Sequence, residues 1–141
     1  MAFDIKKHFD VDGKLATEGV WESLGGDAAV LVARSGNPNF TKEYRLIPAA
    51  IRKMISEGRT DDEQSAAIMA KLMAKTILLD WKNLTLDGKK LQYSKEVAEK
   101  VLLDYPDFRQ FIWEVAEDAK RFYRQERETD LKNSGNVSSG N

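Results

Sequence analysis

The 141-residue chain contains no cysteine, and its only histidine is His8. Without thiols the chain can form neither disulfide bonds nor thiolate metal sites, which fits a protein of a reducing cytosol. A catalytic or metal-binding role for His8 would require partners at ligand spacing, and the sequence offers neither a cysteine nor a second histidine. We therefore expect an exposed His8, no metal site and no cofactor.

A net charge of one sign is also missing, because 22 basic and 23 acidic residues nearly cancel to −1. Such a chain generates no overall field that concentrates nucleic acid or anionic lipid. No stretch approaches the roughly 20 apolar residues that span a bilayer. The charged N-terminal residues are not followed by the apolar run of a signal peptide. We expect a cytosolic protein without a membrane partner.

Groupings of residues that carry catalysis are not found in the sequence either. Gly25, Gly26 and Gly36 do not form a phosphate-binding motif, because no Gly-Lys-Ser/Thr sequence accompanies them. The acidic residues 61–63 fit the start of a helix, and residues 80–87 lack the alternating ligands of a calcium loop. We predict that the protein is not an enzyme and has no catalytic residues.

Two stretches have the pattern of a β-hairpin. Residues 20–24 and the apolar, β-branched residues 28–33 flank a Gly-Gly-Asp turn, which predicts an N-terminal hairpin. Two strands alone are marginally stable in water, so this hairpin must lie against another part of the chain. A second turn, Asp87-Gly88, predicts a small hairpin or extended loop within residues 83–93.

The first long helical pattern begins at Asn37 and Pro38, which suit the N-cap and the first helical position. Pro48 lies inside this pattern and predicts a kink or break near Leu46, and Gly58 ends it. One apolar stripe runs along the whole segment, formed by Phe40, Tyr44, Ile47, Ile51 and Ile55.

A second helix is predicted from the capping box of Thr60 and Glu63 to about Asp80. It is so apolar that it should be central in the fold or turn half of its apolar surface to a partner. Met69 and Met73 lie in this helix, and together with Met54 they either fill the core or form a pliable patch that repacks against a partner.

The last two helices have clear start signals. Ser94 is placed to cap a helix over residues 95–103, and Pro106 opens a final helix capped by Asp104 or Tyr105 that we extend to about residue 128. One face of the final helix is apolar, carrying Phe108, Phe111, Ile112, Val115, Ala119, Phe122 and Tyr123. Trp113 lies off this stripe, so it packs against the hairpin or forms part of a protein interface.

Together these patterns predict a mainly α (α+β) domain of about four to five helices with an N-terminal β-hairpin. We assign residues 1–130 to this single domain. Residues 131–141 are polar and cannot bury enough surface to order themselves, so we predict a disordered C-terminal tail.

Nucleic-acid binding is the main alternative to protein binding. Residues 120–124 and Arg127 interleave basic and aromatic side chains. The aromatic residues continue the core stripe, however, and acidic residues at 117, 118, 126 and 128 dilute the positive charge. A solvated helix face is therefore favoured, and a small nucleic-acid-binding regulator remains the alternative.

Four stretches, taken in combination and order, resemble one family. They are residues 33–40, residues 78–84, the Asp87-Gly88 turn before Tyr93 and Ser94, and the helix over residues 108–128. They are similar to the tail assembly chaperones of long-tailed bacteriophages, and the resemblance covers most of residues 20–131. It implies a mainly helical protein made in the cytoplasm of the infected or lysogenic host and absent from the finished virion.

The resemblance also implies the partners. Members of this family bind the long tape measure protein, keep it soluble and help the tail tube polymerise around it. A longer form made by ribosomal frameshifting is implied to recruit the tail tube protein. Several copies would coat one client, so a homo-oligomer is possible. A structural tail component, which would be found in purified particles, is the further alternative.

A chaperone of this kind needs adaptable apolar surface rather than an active site. We predict that partner-binding residues come from the methionines of the second helix, from two tryptophans and from the end of the last helix. The candidates are Met69, Met73, Trp81, Trp113, Phe122 and Tyr123.

Overall fold

The computed structural model describes residues 2–59 and 62–124, which form seven α-helices, one 3-10 helix and five strands. The helices are α1 (Ile5–Phe9), α2 (Gly13–Glu18), α3 (Pro38–Tyr44), α4 (Ala49–Ser56), α5 (Glu63–Thr76), α6 (Lys95–Asp104) and α7 (Pro106–Glu117). The strands are β1 (Val20–Gly25), β2 (Ala28–Val32), β3 (Leu78–Lys82), β4 (Thr85–Leu86) and β5 (Lys89–Lys90). The 3-10 helix spans Ala119–Phe122.

The predicted fold, a mainly α domain of about four to five helices, is wrong. The described residues form seven α-helices and two sheets, which is a mixed α+β domain. The largest difference is β3, which the sequence pattern assigns to the end of a helix. A short apolar run has the same pattern in a buried helix and a buried strand. Pairing with β2 decides between them, since it gives the hairpin the third strand that it needs.

The two predicted hairpins form. β1 and β2 are antiparallel from the Val20–Val32 pair to the Gly25–Ala28 pair, and β4 pairs with β5 across the Asp87-Gly88 turn. β3 adds to β2 with Val30 opposite Trp81. The inner face of the three-stranded sheet is buried against the helices, through Val20, Val30, Val32, Leu78 and Trp81.

The helix starts largely follow the predicted signals. The Asn37 side chain caps α3 and the Ser94 side chain caps α6. Pro48 breaks the first helical pattern completely, so α3 ends at Tyr44 and α4 begins at Ala49. The cap of α5 is the Asp62 carboxylate, which accepts a hydrogen bond from the amide of Ser65 at 3.1 Å. Thr60, the predicted cap, lies outside the described residues.

Helix α5 lies at the centre of the domain, as its apolar sequence predicts. It contacts α3, α4, α6 and β3, and most of its second half is buried. The core around it joins the inner face of the sheet to α6 and α7, through Met69, Met73, Ile77, Leu102 and Ile112. Phe40 of α3 also belongs to this core.

The N-terminal segment near Asp12 contacts the C-terminal end of the described residues near Phe122. α7 ends at Glu117 instead of continuing to about residue 128, because Asp118 takes an extended conformation and the 3-10 helix follows. Phe122 is fully buried there. The amide of Asp12 donates to its carbonyl at 2.8 Å. Residues 125–141, including the predicted tail over residues 131–141, lie outside the described residues.

Candidate functional site

A groove of about 460 Å³ lies between α3, the end of α4 and the end of α7. We call it the aromatic groove. Its lining residues are Ser35, Gly36, Phe40, Tyr44, Ile55, Ser56, Gly58, Trp113 and Glu117. Two segments that are far apart in sequence therefore build this groove, one before residue 59 and one within α7.

Three aromatic rings form one continuous surface in the groove. The ring centroids of Phe40 and Tyr44 are 5.5 Å apart and the rings are stacked, and those of Phe40 and Trp113 are 5.7 Å apart and tilted. Both separations are in the range of favourable aromatic pairs. Phe40 is buried, whereas Tyr44 and Trp113 are half-buried. The groove therefore presents rigid aromatic faces that an apolar side chain of another molecule can contact.

Asn37 positions the α3 side of the groove. Its Oδ1 accepts from the amide of Phe40 at 3.0 Å, and its Nδ2 donates to the carbonyls of Arg34 at 2.7 Å and Thr76 at 3.1 Å. One buried side chain thus caps α3 and joins it to the end of α5. These three hydrogen bonds hold the Phe40 ring beside that of Trp113.

The α4 side of the groove is held by the turn at Pro48. The Tyr44 hydroxyl donates to the carbonyl of Arg52 at 3.2 Å, and the Arg52 Nε donates to the carbonyl of Ile47 at 3.0 Å. These bonds fold α4 back beside α3, which brings Ile55 to the groove. The break at Pro48 is therefore what gives the groove its second wall.

One acidic side chain of α7 lies in the lining of the groove. Glu117 lines it and Glu114 lies one turn earlier. Within the part of the chain that the structure describes, neither carboxylate forms a salt bridge. A partner that carries positive charge beside an apolar stripe would therefore complement this edge.

A smaller cleft of about 120 Å³ lies between the end of α3 and α5. Its lining includes Ile47, Ile68 and Leu72, with Glu43 and Lys75 at its edge. The Lys75 ammonium donates a hydrogen bond to Glu43, which lowers the pKa of that carboxyl below its usual value. This ion pair joins α3 to α5 and covers part of the cleft.

The six predicted partner-binding residues are not brought together. Trp113 lines the aromatic groove, with Phe40 of α3 as its ring partner. Tyr123 is half-buried, with its ring 6.2 Å from that of Phe9. The other four side chains are buried, namely Met69, Met73, Trp81 and Phe122. These four occupy the core, the alternative that the sequence leaves open for the methionines, so they would reach a partner only if the core opened.

Hydrogen bonds and ring contacts within the fold hold Trp81 in place. Its indole Nε1 donates to the carbonyl of Leu91 at 2.7 Å, and its ring meets that of Tyr93 edge to face at 4.9 Å. The Tyr93 hydroxyl donates to the carbonyl of Leu78 at 2.8 Å. Burial raises the pKa of Tyr93 above its usual value, and the charges of Asp80 and Glu96 add to this. These contacts fasten the segment after β5 to β3.

One exposed apolar surface has no counterpart among the predicted residues. Phe3, Ile5 and Phe9 are 64%, 72% and 56% exposed, and α1 contains no buried residue. We call these three side chains the N-terminal patch. The signal for it is the Asp4 cap followed by Ile5 and Phe9 at helical spacing, but five residues are too few for a periodic pattern.

The basic segment near residue 124 is engaged by carboxylates of the same chain. Arg121 forms ion pairs with Glu22 and Asp118. Arg124 lies 2.9 Å from the Asp10 carboxylate and 4.0 Å from that of Asp12. Arginines held by acids are less available to phosphates, which weighs against a nucleic-acid interface here.

Membrane-spanning helices and metal-binding clusters are both absent from the described residues. None of their helices combines the length and the apolar character needed to cross a membrane. Within the same ranges, no three histidine or acidic side chains are grouped closely enough to hold a metal ion.

The fold and the groove thus define a small α+β domain with a groove lined by aromatic side chains. A sequence model of the YdaY prophage proteins matches residues 35–133, well over half of the chain, and the chain belongs to this family. No curated protein and no solved structure matches it. Every lining residue of the aromatic groove lies within the matched segment, whereas the N-terminal patch lies before it.

Proposed function

We propose that this YdaY-family protein is a tail assembly chaperone that binds the tape measure protein of its prophage. It keeps that protein soluble and promotes polymerisation of the tail tube around it. The observation that supports the proposal is the aromatic groove, a concave surface lined by aromatic side chains in a protein of phage origin. Two of the stretches that resemble tail assembly chaperones, residues 33–40 and 108–128, contribute residues to its lining.

The groove has the properties required for binding an apolar stripe of a helix. A helical client presents side chains at every third or fourth residue, and a groove between helices accepts them. The half-buried rings of Tyr44 and Trp113 offer contact area at little conformational cost, since aromatic side chains have few rotatable bonds. The carboxylate of Glu117 favours basic residues beside that stripe. Binding of this kind requires no bond-making chemistry.

The resemblance to tail assembly chaperones also suggests where and when the protein acts. The protein would act in the host cytoplasm and leave before the virion is complete. A longer form made by frameshifting would recruit the tail tube protein, and several copies would coat one client. Purified virions of the induced prophage test this part by mass spectrometry. Their lack of the protein is the expected result, whereas stoichiometric amounts would identify a structural tail component instead.

Co-expression with the tape measure protein of the same prophage tests the proposed activity. We expect that protein to be insoluble alone and to move largely into the soluble fraction, bound to the chaperone, when both are made. A tape measure protein from an unrelated long-tailed phage serves as the specificity control and should remain insoluble. An unchanged insoluble fraction, with the YdaY-family protein itself folded by circular dichroism, would contradict the proposal.

A further inference from the structure

The cleft between the end of α3 and α5 shares no lining residue with the aromatic groove. Its lining is mostly apolar, since Leu72 is buried and Ile47 and Ile68 are half-buried. A cavity of about 150 Å³ in another protein accommodates benzene, so this cleft of about 120 Å³ has room for one aliphatic side chain. We call it the basic cleft, lined by Glu43, Ile47, Ile68, Lys71, Leu72 and Lys75.

Lysines lie beside the apolar side chains on one face of α5. Residues 68, 71, 72 and 75 follow one another at helical spacing and therefore share this face. The side chains of Lys71 and Lys75 are exposed. Within residues 2–59 and 62–124, Lys71 forms no salt bridge. Its ammonium group is therefore available to a carboxylate of another molecule.

Positive charge is in excess around the basic cleft. Among the described residues, Glu43 supplies the only carboxylate in the lining, and it accepts a hydrogen bond from Lys75. That bond lowers the pKa of Glu43, and the nearby charge of Lys42 adds to this effect. The Lys95 ammonium donates to the carbonyl of Lys75 at 3.1 Å, which brings another positive group to the same end of α5. An acidic occupant therefore complements the cleft.

We propose that the basic cleft binds an acidic segment of another protein. One aliphatic side chain of that segment enters the cleft beside Ile47 and Ile68, and the flanking carboxylates pair with Lys71 and Lys75. Because Glu43 already pairs with Lys75, it competes with the incoming carboxylate. Nucleic acid fits this site less well, since its phosphates would meet the lysines but it has no aliphatic side chain for the cleft.

Amide NMR of the isotope-labelled full chain, titrated with a synthetic peptide, tests this site. The probe is a capped pentapeptide with a central leucine and two glutamates on each side. We expect a Kd on the order of 100 µM, with shifts at residues 47, 68, 71 and 72 and none at Phe40 and Trp113 of the aromatic groove. The titration uses no tape measure protein, so its result does not depend on the proposed chaperone activity.

Two altered peptides separate the apolar and the charged parts of the contact. Replacing the leucine with serine leaves the cleft without an aliphatic occupant, and replacing the glutamates with lysines reverses the charge. Each change should weaken binding by roughly tenfold or more. A serine peptide that binds as well as the leucine peptide would show that no side chain enters the cleft.

Charge variants at solvent-accessible positions test the lysines without disturbing the core. Lys71→Glu should weaken binding by roughly tenfold or more. Lys89→Glu on β5 changes the net charge equally at an exposed position outside the lining, and it should leave the affinity unchanged. Glu43→Gln should tighten binding roughly threefold, because it frees the charge of Lys75 and keeps the side-chain shape. Circular dichroism verifies that each variant is folded.

Several results would overturn the proposal. They are no shifts at the cleft residues with millimolar peptide, unchanged affinity in Lys71→Glu, equal weakening by Lys71→Glu and Lys89→Glu, or weaker binding by Glu43→Gln. A short oligothymidylate that binds more tightly than the peptide, with the same dependence on Lys71, would identify a nucleic-acid site and would overturn it as well.

Discussion

Replacing Trp113 with alanine is expected to weaken binding of the tape measure protein by roughly thirtyfold, the equivalent of about 2 kcal/mol. Trp113 supplies a half-buried ring in the aromatic groove and touches Phe40, so its removal takes away both contact area and the shape of the groove. Bio-layer interferometry with an immobilised soluble segment of the tape measure protein measures the change in Kd.

The matched control for this variant is Trp21→Ala. Trp21 is 42% exposed on β1, outside the groove, with the Lys82 ammonium 4.0 Å from its ring centroid. Its loss should leave the affinity for the client unchanged. Equal weakening by both substitutions would mean that any exposed tryptophan contributes. Unchanged binding by Trp113→Ala would show that the groove does not bind the client.

Replacing Asn37 with alanine is expected to lower the free energy of unfolding by about 2–4 kcal/mol. Asn37 is 3% exposed. Alanine removes the α3 cap and leaves the carbonyls of Arg34 and Thr76 without the donor that they share. Urea unfolding followed by circular dichroism gives this difference, and the slope of the transition should not change.

The Asn37→Asp variant separates the two roles of this side chain. Aspartate caps a helix as well as asparagine does, but its carboxylate donates no hydrogen bond to the carbonyls of Arg34 and Thr76. We expect this variant to be destabilised nearly as much as Asn37→Ala. Wild-type stability in Asn37→Asp would show that capping alone matters and that the link to α5 contributes little.

Local chemistry explains the parts of the fold that the sequence predicts well. Asn37 and Ser94 cap helices, and Pro48 ends one, because each acts within a few residues of itself. The strand β3 is different. Residues 77–81 form a helix or a strand equally well by pattern, and the pairing of β3 with β2, some 50 residues earlier in the chain, determines the outcome.

Sequence patterns also predict only part of the candidate site. The helical period singles out Trp113 because it lies off the apolar stripe, and the structure places it in the groove. Met73 and Phe122 are as apolar as Trp113 but are fully buried, and hydrophobicity alone does not distinguish a core residue from a binding residue. The groove itself depends on the long-range approach of α3 and α4 to α7, which no local pattern encodes.

Hydrogen exchange of the protein, free and bound to the tape measure protein, tests most directly whether the aromatic groove binds this client. We predict that binding slows amide exchange in the segments that line the groove, residues 35–44, 54–58 and 111–117. Exchange in the segment over residues 85–90, on the second sheet, should stay the same. Protection confined to other segments, or no protection in a complex that does form, would contradict the proposed function of the groove.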